Sequence, residues 1–152
     1  SHDIISRNKE FAINLTNKNL AFATDWCGVK SGAKVDKFKE MHLTKEKAKF
    51  VKCPLIKESP VSIECKVTEI KEMGSHDMFI AEILSIDADE KYIDDKGAFD
   101  ITKCDLITYA NGKYFTLGKQ VGKFGYSVQK KKRKWRKYAR IVDIFRKTWY
   151  DI

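Results

Sequence analysis

Apolar and polar positions alternate most clearly where Val61, Ile63, Cys65 and Val67 interleave with Ser62, Glu64, Lys66 and Thr68, a period of two that predicts a half-buried strand. Lys71 to Asp77, with Gly74 inside it, reads as a turn, and Met78 to Ile86 as the returning strand of a long antiparallel hairpin. Phe11, Ile13 and Leu15 alternate with Ala12 and Asn14 and predict another half-buried strand. A second hairpin is expected where Leu106, Ile107 and Tyr109 lead through Asn111-Gly112 into Tyr114, Phe115 and Leu117, because Asn-Gly favours a tight reversal.

Helical spacing is confined to short stretches. Residues 1–9 read as a short helix with Ile4 and Ile5 inward and Ser1 available as a cap. Thr16 or Asn17 can cap the next helix, in which Leu20, Ala21 and Trp26 are candidate buried positions. Val35, Phe38 and Met41 step by three and predict a helix from about 34 to 41. Leu43-Thr44 then caps a lysine-rich turn or short helix over 45–49, and Pro54 and Pro60 bound a loop of extended backbone.

The chain has 152 residues, enough for one domain with a sizeable core, and its 43% apolar and 34% charged composition is that of a globular, soluble protein. No apolar run reaches the length of a membrane span, and the start carries no signal-peptide pattern, so a cytoplasmic location is expected. Cys27, Cys53, Cys65 and Cys104 show no C-x-x-C pairing, which argues against zinc and against a disulfide framework. Asp87-Ala88-Asp89-Glu90-Lys91-Tyr92 fails as a calcium loop, because Lys91 and Tyr92 stand where an oxygen ligand and a glycine are needed.

The net charge of +9 is localised. Residues 130–152 hold ten Lys/Arg against Asp143 and Asp151, a local net of +8, and the rest of the chain is nearly neutral. In that tail Trp135, Tyr138, Ile141, Ile144, Phe145 and Trp149 recur at three- and four-residue steps, so a basic amphipathic helix able to meet nucleic acid or an anionic membrane is one reading. A solvated extension is the other.

The stretch Trp26-Cys27-Gly28-Val29-Lys30-Ser31-Gly32-Ala33-Lys34-Val35-Asp36-Lys37-Phe38 concentrates the candidate chemistry. A Gly/Ser loop feeding a helix start can offer backbone N–H groups to a phosphate, with Lys30, Lys34 and Lys37 in reach. The same residues also describe a turn before a surface helix with solvated lysines. Cys27, beside a glycine and lysines, reads either as a structural thiol or as a stabilised thiolate. His76, in Gly74-Ser75-His76-Asp77, is a turn histidine able to donate a hydrogen bond.

In order along residues 1 to about 128, this sequence resembles the flavin reductase-like, FMN-binding split-barrel family, the flavoredoxin type in particular. The resemblance rests on Asn14-Leu15-Thr16, Leu20 to Gly28, Ser31-Gly32, Val35-Asp36-Lys37-Phe38, Pro54-Leu55-Ile56, Ser59-Pro60-Val61, Glu64-Cys65-Lys66-Val67, Gly74 to Glu82 and Tyr114 to Gly118. It implies a mainly β fold with short helices, an antiparallel split β-barrel over 1–128, followed by the basic tail 129–152. Ser1-His2-Asp3-Ile4-Ile5 then corresponds to the middle of a family member, so the opening strands are expected to be absent. The implied function is FMN binding and electron transfer from NAD(P)H to flavin or a partner acceptor, in a homodimer. The implied flavin contacts are Asn14, Thr16, Cys27, Ser31, Gly32, Lys37 and His76, with no catalytic triad, since hydride chemistry belongs to the flavin. The alternative is a non-catalytic split-barrel fragment or interaction module acting through its basic tail.

Overall fold

A computed structural model of the chain describes residues 1–129; the expected tail helix lies outside the described residues. A compact unit spans Ser1–Leu117. It comprises α1 (His2–Asn8), β1 (Glu10–Asn14), α2 (Ala21–Val29), α3 (Lys37–Glu40), β2 (Lys45–Glu46), β3 (Leu55–Ile56), β4 (Val61–Glu72), β5 (Asp77–Ala88), β6 (Ile107–Ala110) and β7 (Lys113–Thr116). Single turns of 3-10 helix cover Lys18–Leu20, Glu90–Tyr92 and Ile101–Cys104. Residues 118–129 are described separately and contain turns closed by Tyr126 N–H on the Lys123 carbonyl and Val128 N–H on that of Gly125.

The strands predicted from alternation are present. The principal sheet has the order β1-β4-β5, antiparallel throughout, with Phe11 opposite Cys65 and Ile13 opposite Ile63. Pairing of β4 with β5 runs from Glu72 opposite Asp77 to Val61 opposite Ala88, with irregularities at Glu64/Cys65 and Val67/Glu69 that bend the hairpin. The β6–β7 hairpin turns at Asn111 and Gly112, whose φ values of 50° and 74° are those such a reversal requires.

Two small cores flank β4. Ala48, Val51 and Leu55 pack with Ala12, Cys53 and Leu84; Val61, Tyr92 and Cys104 pack with Leu15, Ile63, Ala88 and Leu106. The start of β4 is therefore covered on both faces, and Ser62 and Glu64 are buried, contrary to the half-buried strand that alternation predicts.

Four further expectations are corrected. The helix expected over 34–41 is only α3, because Asp36 Oδ1 accepts the N–H groups of Phe38 and Lys39 and starts the helix at Lys37. It stops at Met41, after which His42 adopts φ 52° and the Leu43 N–H closes on the Phe38 carbonyl. Residues 45–49 are no helix: Lys45 and Glu46 pair with Ile56 and Leu55 as β2–β3. In α1 Ile4 is exposed, and the Ser1 hydroxyl makes no capping bond. The expected architecture, mainly antiparallel β with short helices, is present: among the described residues its strands form one three-stranded sheet and two small ladders.

Candidate functional site

The loop between α2 and α3 folds back on the end of α2. Lys37 Nζ donates to the Cys27 carbonyl at 2.5 Å, so a cation answers the negative end of the helix. Ser31 organises the turn between them: its carbonyl accepts from Lys34 N–H at 3.0 Å and its hydroxyl from Ala33 N–H at 3.3 Å. Gly32 lies under Lys37, where an added Cβ would stand 3.6 Å from Lys37 Cε in ordinary contact.

This segment borders a shallow, nearly flat surface patch formed by Gly32, Ala33, Lys34, Val35, Asp36, Lys37 and, from β2, Lys45. The Lys45 ammonium stands 5.1 Å from the centre of the Phe38 ring. Three lysines and one carboxylate, that of Asp36, thus border the same patch. The amides at the start of α3 are not free for an anion, because Asp36 has already taken them. What remains is the set of lysines, cations of the kind that suits a phosphate.

Of the residues singled out by sequence, Gly32, Lys37 and the Cys27 carbonyl are brought together, with Ser31 next to Gly32 in the turn. Asn14 lies on β1, where its Oδ1 accepts from Ile56 N–H at 3.0 Å and from Ser62 Oγ at 2.9 Å. Its side chain thereby fixes β3, and through the pairing of Ile56 with Lys45 it supports β2. Thr16 is tied elsewhere, its carbonyl accepting from Ile107 N–H, and Asn17 performs the capping, accepting Leu20 N–H at 3.1 Å. His76 is exposed at the tip of the β4–β5 hairpin beside Ser75 Oγ at 3.0 Å. The ten residue steps of β4 from Ser62 to Glu72 span roughly 33 Å, so one chain does not bring His76 to Asn14.

A second set of contacts holds the chain that delivers Lys45. Glu64, fully enclosed, accepts Lys49 N–H at 2.9 Å on Oε1 and Phe50 and Val51 N–H at 2.6 and 3.0 Å on Oε2. Glu10 accepts the next amide, that of Lys52, at 2.8 Å. Lys49 also pairs with Asp87 on β5, whose carboxyl this cation holds below its usual range. Lys45 and these carboxylate clamps carry no signal in the local pattern; only pairing across the fold reveals them.

Burial pushes the thiols of Cys53, Cys65 and Cys104 up, which keeps them protonated and unreactive. Among the described residues there is no cluster of three or more His, Cys, Asp or Glu able to hold a metal, and no helix is long and apolar enough to cross a membrane.

Residues 1–118 match the family model described as the flavin reductase like domain. A protein of Archaeoglobus fulgidus is 33% identical over 116 residues, 76% of this chain, and the chain spans 64% of that relative's length. Among solved structures, the flavoredoxin of Desulfovibrio vulgaris (Miyazaki F) superposes with a TM-score of 0.77 at 28% identity, covering 84% of this chain and 69% of its own. A flavoredoxin from Methanosarcina acetivorans gives 0.71 at 31% identity, with 82% and 67% covered.

Proposed function

Because the chain belongs to the flavin reductase-like, FMN-binding split-barrel family, we propose that it binds FMN and works as a flavin-dependent oxidoreductase, taking electrons from NAD(P)H and passing them to free flavin or a partner acceptor. The observation that carries this reading is the family match over residues 1–118, within which the lysine-bearing α2–α3 loop lies. A bound flavin supplies the hydride and electron chemistry; the chain's own residues bind and orient it. Lys37 offers a cation to the phosphate while still holding α2 through the Cys27 carbonyl. Ser31 offers a hydroxyl, and the backbone at Gly32 gives close access to the phosphate or ribityl chain. Asn14 Oδ1 is occupied, so its Nδ2 is the donor left for the cofactor, with Thr16 at the same strand end.

The reading includes a homodimer. Ile13, Ile63 and Ile86 stand in one row across the sheet, and Ile13 and Ile86 remain 44% and 61% exposed. Since His76 is remote from Asn14 within one chain, its role in this reading is filled from the second protomer. Free thiols throughout accord with a cytoplasmic setting.

The test loads the purified chain with FMN, removes the excess by gel filtration, and adds NADH or NADPH without oxygen. A retained flavin spectrum that the nucleotide bleaches is expected. A folded chain that retains no flavin refutes the proposal, and retained flavin that neither nucleotide bleaches refutes the donor.

A further inference from the structure

We propose that His2 is a proton-operated latch: as an imidazolium it ties the start of α1 to the β4–β5 hairpin through Asp77, and on losing a proton it lets α1 go. The latch is independent of the flavin reading.

His2 Nε2 lies 2.6 Å from Asp77 Oδ2, and His2 Nδ1 lies 3.0 Å from Asp3 Oδ1. An ionised carboxylate only accepts hydrogen bonds, and a neutral imidazole has one N–H to give. Both contacts are hydrogen bonds only when both ring nitrogens carry a proton, so the arrangement is that of an imidazolium between two carboxylates. The hydrogen bonds to Asp3 and then to Asp77 hold the His2 pKa above its ordinary 6.5. The Asp77 side chain is only 21% exposed, and the His2 ring stands edge-on to Phe79 of the same strand at 5.7 Å between centres, so this contact is partly shielded from water.

The charged surroundings favour the cation. On α1 they are Asp3, with Arg7 and the Ser1 amine acting on Asp3. On the hairpin Asp77 adjoins His76 and stands opposite Glu72, while Lys71, opposite Met78, reaches Glu69 at 3.7 Å.

The start of α1 has little other support. None of its residues is buried, Ser1 gives no side-chain cap, and a cation in the first turn opposes the helix dipole. A helix of seven residues does not hold by its own hydrogen bonds. Its other end is fixed, because Lys9 takes a left-handed φ of 59° and its carbonyl accepts Val67 N–H at 2.8 Å. α1 therefore has a hinge at Lys9 and a latch at His2. Below the raised pKa the latch is closed; as pH rises through it, one N–H and the charge that held both carboxylates are lost.

The experiment follows the full chain by NMR from about pH 5 to about pH 8.5, a range that spans histidine titration. It reads the His2 ring nitrogens, the NOE between the His2 and Phe79 rings, and the Cα shifts of residues 2–8 in the wild type, Asp77→Asn and His2→Gln. The expected result is a His2 midpoint above 6.5 with both nitrogens protonated below it, and loss of the ring–ring NOE above it. The Cα shifts of α1 should move toward coil with the same midpoint. Asp77→Asn is expected to lower the midpoint, and His2→Gln to leave the α1 shifts independent of pH at the open values. A midpoint at or below 6.5, a ring–ring NOE that survives deprotonation, or α1 shifts in His2→Gln that follow the wild-type profile overturns the proposal. So does an Asp77→Asn chain, folded by circular dichroism, that keeps the wild-type midpoint.

Discussion

Phe50 donates its backbone N–H to Glu64 Oε2 at 2.6 Å, and the carboxylate that receives it has no solvent-exposed surface. With the amides of Lys49 and Val51 on the same side chain, a strand residue becomes the anchor of an irregular loop. Removing it leaves three amides without acceptors. Glu64→Ala is expected to destabilise the chain by about 3 kcal/mol, with Glu64→Gln intermediate because only one end of the amide can accept. Urea unfolding measures this as a lower midpoint at unchanged slope. A loss within about 0.5 kcal/mol of zero in Glu64→Ala would remove the anchoring role.

The same carboxylate makes stability depend on pH. Burial pushes the Glu64 carboxyl up, but the three amides outweigh it and hold the group below its ordinary 4.5. A carboxyl lowered in the folded state stabilises fully above that ordinary value, and the contribution fades as pH falls through the depressed one. The wild type should therefore lose stability below about pH 4.5 more steeply than Glu64→Gln, which cannot titrate there. Parallel acid profiles for the two proteins would contradict this.

His42 occupies the left-handed position after α3 that glycine usually fills, at φ 52°. His42→Gly relieves that conformation and is expected to stabilise the chain by roughly 0.5–1 kcal/mol, measured as a higher thermal midpoint. Destabilisation instead would mean that the imidazole makes a contact worth more than the strain.

Asp36→Ala removes the cap from α3 and is expected to cost about 1 kcal/mol. It also removes the one negative charge bordering the patch, so phosphate affinity should rise if the fold is kept. Stability and phosphate binding thus move in opposite directions, which chemical denaturation and a phosphate titration read separately.

The local pattern revealed those elements whose apolar spacing and turn residues sit within a few positions of each other. The β4–β5 hairpin, β1 and the Asn111-Gly112 reversal belong to this group. The end of the loop helix was not legible, because Asp36 competes for the amides that a longer helix would have used. Nor was β2, a two-residue strand whose identity depends on Leu55 and Ile56. Glu64 occupies an outward position in the alternation and is buried only because a loop 13 to 15 residues earlier folds over it. At the candidate site, the Gly/Ser turn carrying Lys37 was legible as a loop, whereas Lys45 arrives from a separate strand and leaves no local trace.

The tail supplies an independent check. Deleting residues 129–152 removes +8 of charge and lies beyond the family match at 1–118, so FMN affinity should stay within about twofold of wild type. Loss of flavin binding in a folded truncated chain would assign the tail to the cofactor site.

The most direct measurement is an equilibrium titration of the purified chain with FMN, followed by visible absorption, alongside a Ser31→Ala/Lys37→Gln double variant shown to be folded by circular dichroism. Saturable binding by the wild type, with a perturbed flavin spectrum that the double variant fails to reproduce, is the expected result. A folded wild type that leaves the spectrum of FMN unchanged, or a double variant that binds as tightly as the wild type, would contradict the assignment of the α2–α3 loop as the flavin phosphate site.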